Sequence, residues 1–147
     1  MKGQPLRPLS EVASGGELSR IMLAIKTVMA KKDDIETLIF DEIDVGISGR
    51  TAQKVSEKMA LIGNVHQVIC ITHLAQIAAM ADHHYRIEKR TENGDTRTAI
   101  SLLGEKESQE ELARILGGAE ITDTVKKSAA EMRSLAREKK KSLRGTE

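Results

Sequence analysis

Three observations predict an α/β fold in which helices cover a mostly parallel core. Two short apolar runs, "TLIF" (37–40) and "QVICIT" (67–72), alternate with stretches of helical apolar spacing, the order that builds a parallel sheet. Two later runs, "HHYRIEKRT" and "RTAISLL", flank the turn "ENGD", and Asn-Gly is the strongest short hairpin signal. The sheet is therefore expected to be mixed. At 147 residues the chain is long enough for one domain with a real core but short for a two-lobed enzyme.

The first dozen residues carry both prolines, Pro5 and Pro8, and read as an extended lead-in over 1–13. Ser14 followed three residues later by Glu17 is a capping box, each side chain bonding the other residue's backbone N–H. The positions Leu18, Ile21, Met22, Ile25, Val28 and Met29 then follow helical spacing and predict one buried face, with Lys31 and Lys32 at the helix end. "TLIF" predicts a strand buried on both faces, ending at Asp41 and Glu42. Ser48 is placed to cap a second helix through about Ile62, with Val55, Met59 and Ile62 inward. "QVICIT" predicts the second buried strand, ending at Thr72 and His73.

A short helix from about Leu74 to Met80 leads into the hairpin, where the adjacent His83 and His84 diverge as solvated edge residues. Ser108 with Glu111 predicts the start of a further helix by the same capping logic, stopping at Gly117 and Gly118. The final helix, from about Thr122 to Lys141, carries an apolar seam at Val125, Ala129, Met132 and Ala136. It then turns basic in "REKKKSLR".

Composition narrows the function. The 23 basic and 22 acidic residues nearly cancel, leaving a net charge of +1, so no whole-molecule field draws the chain onto nucleic acid or an acidic membrane. Aromatics are 1% of residues, too few for the stacking platforms of single-strand binders, which argues against an RNA-recognition module. The one cysteine, Cys70, has no partner for an internal disulfide, which fits a reducing cytosolic setting. No apolar stretch has the length of a membrane span, and "MKGQPLRPLS" does not resemble a signal peptide.

Gly15 and Gly16 are costly in a first helical turn, by roughly 1 kcal/mol each relative to alanine. Two readings stand side by side: a plain cap, or a bare helix start that admits a phosphate. In an open parallel sheet the ligand crevice lies beyond the carboxyl ends of the strands, where Asp41, Glu42, Thr72 and His73 fall. Asp41 suits a Mg²⁺ ion in a Walker B-like position. Glu42, pointing the other way along the strand, suits a general base, and His73 suits a hydrogen bond to a terminal phosphate. Against these stand a strand end running into solvent and a structural histidine. Cys70 and His73 diverge on a strand, and no second ligand pair has suitable spacing, which disfavours zinc. No G-x-S-x-G elbow frames Ser14 or Ser48, which disfavours serine hydrolase chemistry.

In order and spacing, "ASGGE" opening a helix, "TLIFDE" after it and "ICITH" one helix later resemble the C-terminal half of an ABC-type ATPase head, specifically of the SMC-like DNA-repair kind. The resemblance runs from Pro8 to about Gly118, making 14–118 the lobe with signature, Walker B and H-loop and 119–147 a terminal helix and basic tail. It implies ATP with Mg²⁺, and two heads closing around two nucleotides in a homodimer. Ser14, Gly15, Gly16 and Glu17 would bind nucleotide, the first three touching the γ-phosphate on the second head, while Asp41, Glu42 and His73 stand on another rim of the same lobe. Asp41 would support the metal, Glu42 would be the catalytic base and His73 the phosphate switch.

Ser48 stands where many ABC proteins have Asp, so that residue's inter-head contacts are not carried over. No G-x-x-x-x-G-K-[ST] occurs and no Gly-Lys pair exists, so the phosphates have no P-loop cradle here. The resemblance implies a separate N-terminal P-loop lobe as partner and negligible hydrolysis by this chain alone. It further implies DNA bound through the full-length protein, recombinational repair of double-strand breaks, and a cytoplasmic, nucleoid-associated place without membrane contact. The alternatives are a non-catalytic module whose basic run Arg137, Lys139, Lys140, Lys141 and Arg144 binds DNA or a partner, or the head lobe of another SMC-like or ABC repair ATPase.

Overall fold

The computed structural model describes residues 7–8, 13–29, 32, 34–92 and 95–145. Its elements are α1 (Gly15–Met29), β1 (Thr37–Phe40), α2 (Gly49–Ile62), β2 (Gln67–Cys70), α3 (Ala75–Ala78), β3 (Tyr85–Glu92), β4 (Asp95–Leu102), α4 (Glu105–Gly117) and α5 (Asp123–Arg144). The chain divides into two compact units, Met1–Thr72 and His73–Glu147. Helices, a parallel strand pair and an antiparallel pair are all present, as the α/β prediction requires. Of the lead-in, only 7–8 and 13 are described; Lys31 lies outside the described residues.

In the first unit β1 and β2 pair in parallel, from Thr37 opposite Gln67 to Phe40 opposite Cys70, with α2 between them in sequence. Helix α2 matches its sequence pattern, burying Ala52, Val55, Ser56, Met59 and Ile62. The Ser48 hydroxyl makes no cap bond; its carbonyl accepts the Thr51 and Ala52 N–H groups instead. The strands differ from expectation. Leu38 and Phe40 are buried, but Ile39 is 68% exposed and Ile69 and Ile71 are also exposed. Ile39 stands opposite Ile69, so the bare side is one continuous apolar face. A two-stranded sheet has two faces, and the described residues of this unit cover only one.

Helix α1 is inverted relative to its apolar pattern. Leu18, Ile21, Met22, Ile25, Val28 and Met29 are all exposed, Val28 at 87%, whereas Gly16 and Leu23 are buried. The inward side is Gly16, Ser19, Arg20, Leu23 and Thr27, which also follows helical spacing. Polar side chains turn inward because they have partners there. Ser19 Oγ donates to the Asp41 carbonyl at 2.9 Å, and Arg20 Nη1 donates to the Ile43 and Val45 carbonyls at 3.0 and 2.9 Å.

In the second unit β3 and β4 form an antiparallel hairpin from Tyr85 opposite Leu102 to Glu92 opposite Asp95. The predicted Asn93-Gly94 turn lies outside the described residues. Among the described residues the parallel and antiparallel pairs are separate two-stranded sheets, not the single mixed sheet expected, because no ladder hydrogen bond joins a strand of one pair to a strand of the other. Tyr85, Ile87, Ile100 and Leu102 share one exposed apolar face of the hairpin.

Helix α4 starts three residues before Ser108. The Gly104 N–H donates to the Glu107 carboxylate at 2.8 Å, and Ser108 and Glu111 are buried inside the helix. A tertiary partner overrides the local cap signal here: Ser108 Oγ lies 2.8 Å from His84 Nδ1, while Glu111 accepts two hydrogen bonds from Arg114 three residues further along the same helix. His84 is therefore buried and only His83 is exposed, correcting the expectation that both are solvated. The helix ends as predicted, with Gly118 at φ +61° and its N–H on the Arg114 carbonyl. Helix α5 is capped by Thr122 Oγ1, which accepts the Val125 N–H, and buries Ala129, Arg133 and Ala136. Buried Arg133 donates from Nη1 to the Ala79 and Ala81 carbonyls at 2.6 and 2.8 Å.

Burial, and then the charge of Arg133, hold His84 below its ordinary value of 6.5, with Glu111 opposing. The folded state thus binds this proton less readily than the unfolded chain. The stability His84 contributes is complete above about pH 6.5 and is lost as pH falls toward the lowered folded value. The melting temperature is expected to drop between about pH 7 and pH 5, and His84→Gln to flatten that slope. An unchanged slope in the variant would exclude His84 as its source.

Candidate functional site

The site residues of the first unit converge around the start of α1. Ser14 and Glu17 form the predicted capping box: the Ser14 N–H donates to Glu17 Oε2 at 2.8 Å, and the Glu17 N–H donates to Ser14 Oγ at 3.3 Å. The Ser14 backbone N–H, followed by the Ser14 hydroxyl, holds the exposed Glu17 carboxyl below its usual range. Ser14 Oγ therefore works in both directions, accepting the Glu17 N–H and turning its own hydroxyl toward the Glu17 carboxylate.

What lies against the two glycines is Glu42. A Cβ on Gly15 would run into the Glu42 carboxylate, and a Cβ on Gly16 would lie 2.7 Å from the Glu42 carbonyl oxygen and 3.2 Å from Val45 Cβ. The glycines thus have an internal reason to exist: they let the loop after β1 press onto the helix backbone. This corrects the expectation that Asp41 and Glu42 stand on another rim from the signature turn. The reason lies in the backbone, because β1 ends at Phe40 and strand alternation does not carry on to Glu42. Glu42 adopts φ +56°, a left-handed conformation that costs a non-glycine residue roughly 1–3 kcal/mol. Its N–H donates to Asp41 Oδ1 at 2.9 Å and its carbonyl accepts the Val45 N–H at 3.0 Å.

Asp41 is exposed, with one carboxylate oxygen engaged by Glu42. It suits a single ligand or outer-sphere contact to Mg²⁺, with phosphate and water completing the shell. Among the described residues no three His, Cys, Asp or Glu side chains come together as a metal cage. Burial, then Asp44 and Asp41, push the Cys70 thiol up to about 12, which keeps it protonated and unsuited to zinc.

His73 opens the second unit, exposed in the stretch that leads to α3. Three residues that hold the site together were not singled out from the sequence: Ser19, Arg20 and Asp44. The Asp44 carboxylate, 3% exposed, accepts a 2.6 Å hydrogen bond from Thr72 Oγ1 and ties the loop to the end of β2. The sequence signal for Ser19 and Arg20 was a second helical spacing, 16-19/20-23-27, hidden behind the stronger apolar one, and Asp44 in the loop had none. In the second unit Lys140 and Arg144 bind Asp82 at 2.8 and 3.0 Å, and Arg137 pairs with Glu105. Much of the basic run is thereby engaged within its own unit.

No protein-family model matches the chain. Curated relatives do. The chain is 48% identical over 130 residues to the DNA repair protein RecN of Bacillus subtilis, covering 88% of this chain and 23% of that protein. It is 47% identical over 130 residues to RecN of Vibrio cholerae, covering 88% and 24%. It is 50% identical over 116 residues to RecN of Deinococcus radiodurans, covering 79% and 20%. The chain spans about a quarter of the length of these relatives. No helix among the described residues is long and apolar enough to cross a membrane.

Proposed function

We propose that this chain, a homologue of a segment of the DNA repair protein RecN, serves as the C-terminal lobe of an SMC-like ATPase head acting in recombinational repair of broken DNA. The observation that carries the reading is the meeting of Ser14–Gly16 with Asp41–Glu42 in one unit. A capped helix start without side chains is an anion site by its dipole and free N–H groups. Next to it lie a carboxylate suited to Mg²⁺ and a second suited to a base. The bare faces at Ile39, Ile69 and Ile71, along α1 and on the hairpin support the same reading, since contiguous exposed apolar surface marks an interface.

In this reading ATP and Mg²⁺ supply the reactive phosphoryl group and charge neutralisation, and the P-loop lobe supplies their cradle. Asp41 would hold the ion and His73 would donate to the terminal phosphate. Glu42 would take a proton from the attacking water. Ser14, Gly15 and Gly16 would receive the γ-phosphate of the nucleotide on a second, identical head. A phosphate arriving there competes with the Glu42 carboxylate lying against Gly15, because two negative groups repel at one helix start. Closure of two heads would thus free Glu42 for its own nucleotide. DNA would be bound by the whole protein, and the internal ion pairs of the basic run disfavour this helix end as its contact.

Mixing this chain with the P-loop lobe is expected to yield Mg²⁺-dependent ATP hydrolysis that neither supports alone. A folded, soluble mixture with no turnover would refute the reading.

A further inference from the structure

The loop that follows Asp41 presents three alternate carbonyls, of Asp41, Ile43 and Val45, to one side of α1. Ser19 takes the first and the single Nη1 of Arg20 takes the other two, at 3.0 and 2.9 Å. Arg20 lies in the second turn of α1, where its charge favours the Glu17 carboxylate three residues earlier, yet its Nη1 turns to the loop carbonyls. Arg20 is half-buried, and its two bonds span a loop whose far side is held by Asp44 on Thr72. Gly16 at the same surface leaves room for the Glu42 carbonyl.

We propose that Arg20 is a positioning residue that clamps the Ile43–Val45 loop onto α1, so that the helix start Ser14–Gly16 and the pair Asp41–Glu42 move as one body. The proposal rests on the ATPase reading above and adds a coupling to it. A phosphate docking on the helix start from a second head would set the placement of Glu42 in this one, because the clamp transmits the displacement through the two hydrogen bonds of Arg20, with that of Ser19 beside them. Arginine is suited to the task because one planar nitrogen presents two N–H donors in fixed directions.

The test uses the complete head, with this chain joined to the P-loop lobe. Arg20→Met keeps the aliphatic stem and removes both donors. It is expected to lower kcat at least tenfold with the KM for ATP within twofold of wild type, and Arg20→Lys to restore part of the loss. Ser19→Ala, which removes one carbonyl contact, is expected to lower kcat in the same direction by less, and stands in should Arg20→Met fail to fold. Wild-type kcat in Arg20→Met, or in a well-folded Ser19→Ala when Arg20→Met does not fold, overturns the clamp, as does a parallel change in kcat and KM. Glu42→Gln in the same head separates the two failures. If Glu42→Gln is inactive while the clamp variants turn over normally, this inference alone falls; if Glu42→Gln turns over like wild type, the ATPase reading falls and takes the clamp with it.

Discussion

Glu42→Gln in the reconstituted head is expected to reduce ATP hydrolysis by roughly a hundred- to ten-thousandfold, the range contributed by a positioned general base, while nucleotide binding persists. The amide is isosteric, so the packing against Gly15 and Gly16 is retained, and the loss belongs to proton transfer. Removing the negative charge also removes its competition with an incoming phosphate at the start of α1. ATP-driven association of two heads is therefore expected to be at least as tight in the variant as in wild type, and longer-lived. Single-turnover hydrolysis and light scattering in the same sample check both halves. Normal turnover by a folded Glu42→Gln head would remove Glu42 from the chemistry.

Gly16→Ala is expected to destabilise the chain by about 1–3 kcal/mol, the usual cost of forcing extra volume into a packed contact, while Gly15→Ala costs much less. The two neighbouring glycines differ in what a methyl group meets. At Gly16 it meets the Glu42 backbone carbonyl at 2.7 Å, which moves only if the loop moves; at Gly15 it meets the far end of the Glu42 side chain, which swings away. Chemical denaturation of the two variants measures the contrast. Activity is expected to divide them differently, because a methyl at either glycine intrudes where a phosphate from a second head would sit. Gly15→Ala, stable but unable to support head closure, is then the sharper probe of that contact. Equal stability losses would show that the loop is not pressed onto the helix as described.

Local signals carried most of the elements. The capping box at Ser14 and Glu17, α2 with Val55, Met59 and Ile62 inward, the hairpin and the stop at Gly117–Gly118 all depend on interactions within a few residues. What went wrong shares one cause. The start of α4, the burial of His84 and the inward side of α1 were each decided by a distant partner: Ser108 with His84, and Arg20 with Ile43 and Val45. Hydrophobic spacing names the side of a helix that wants cover without saying what provides it. In α1 that side is bare in this chain and the polar side is packed.

The sequence by itself determined that these residues form an α/β lobe and where the candidate phosphate, metal and base residues fall along it, because caps, turns and short apolar runs are local and one string of motifs orders them. Only the tertiary structure decided that Glu42 leaves strand alternation at φ +56° and lies on Gly15 and Gly16, and that Ser19 and Arg20 bind the loop that carries it. A left-handed turn and a hydrogen bond to a backbone carbonyl more than twenty residues away leave no periodic trace in the chain. They depend on which surfaces meet.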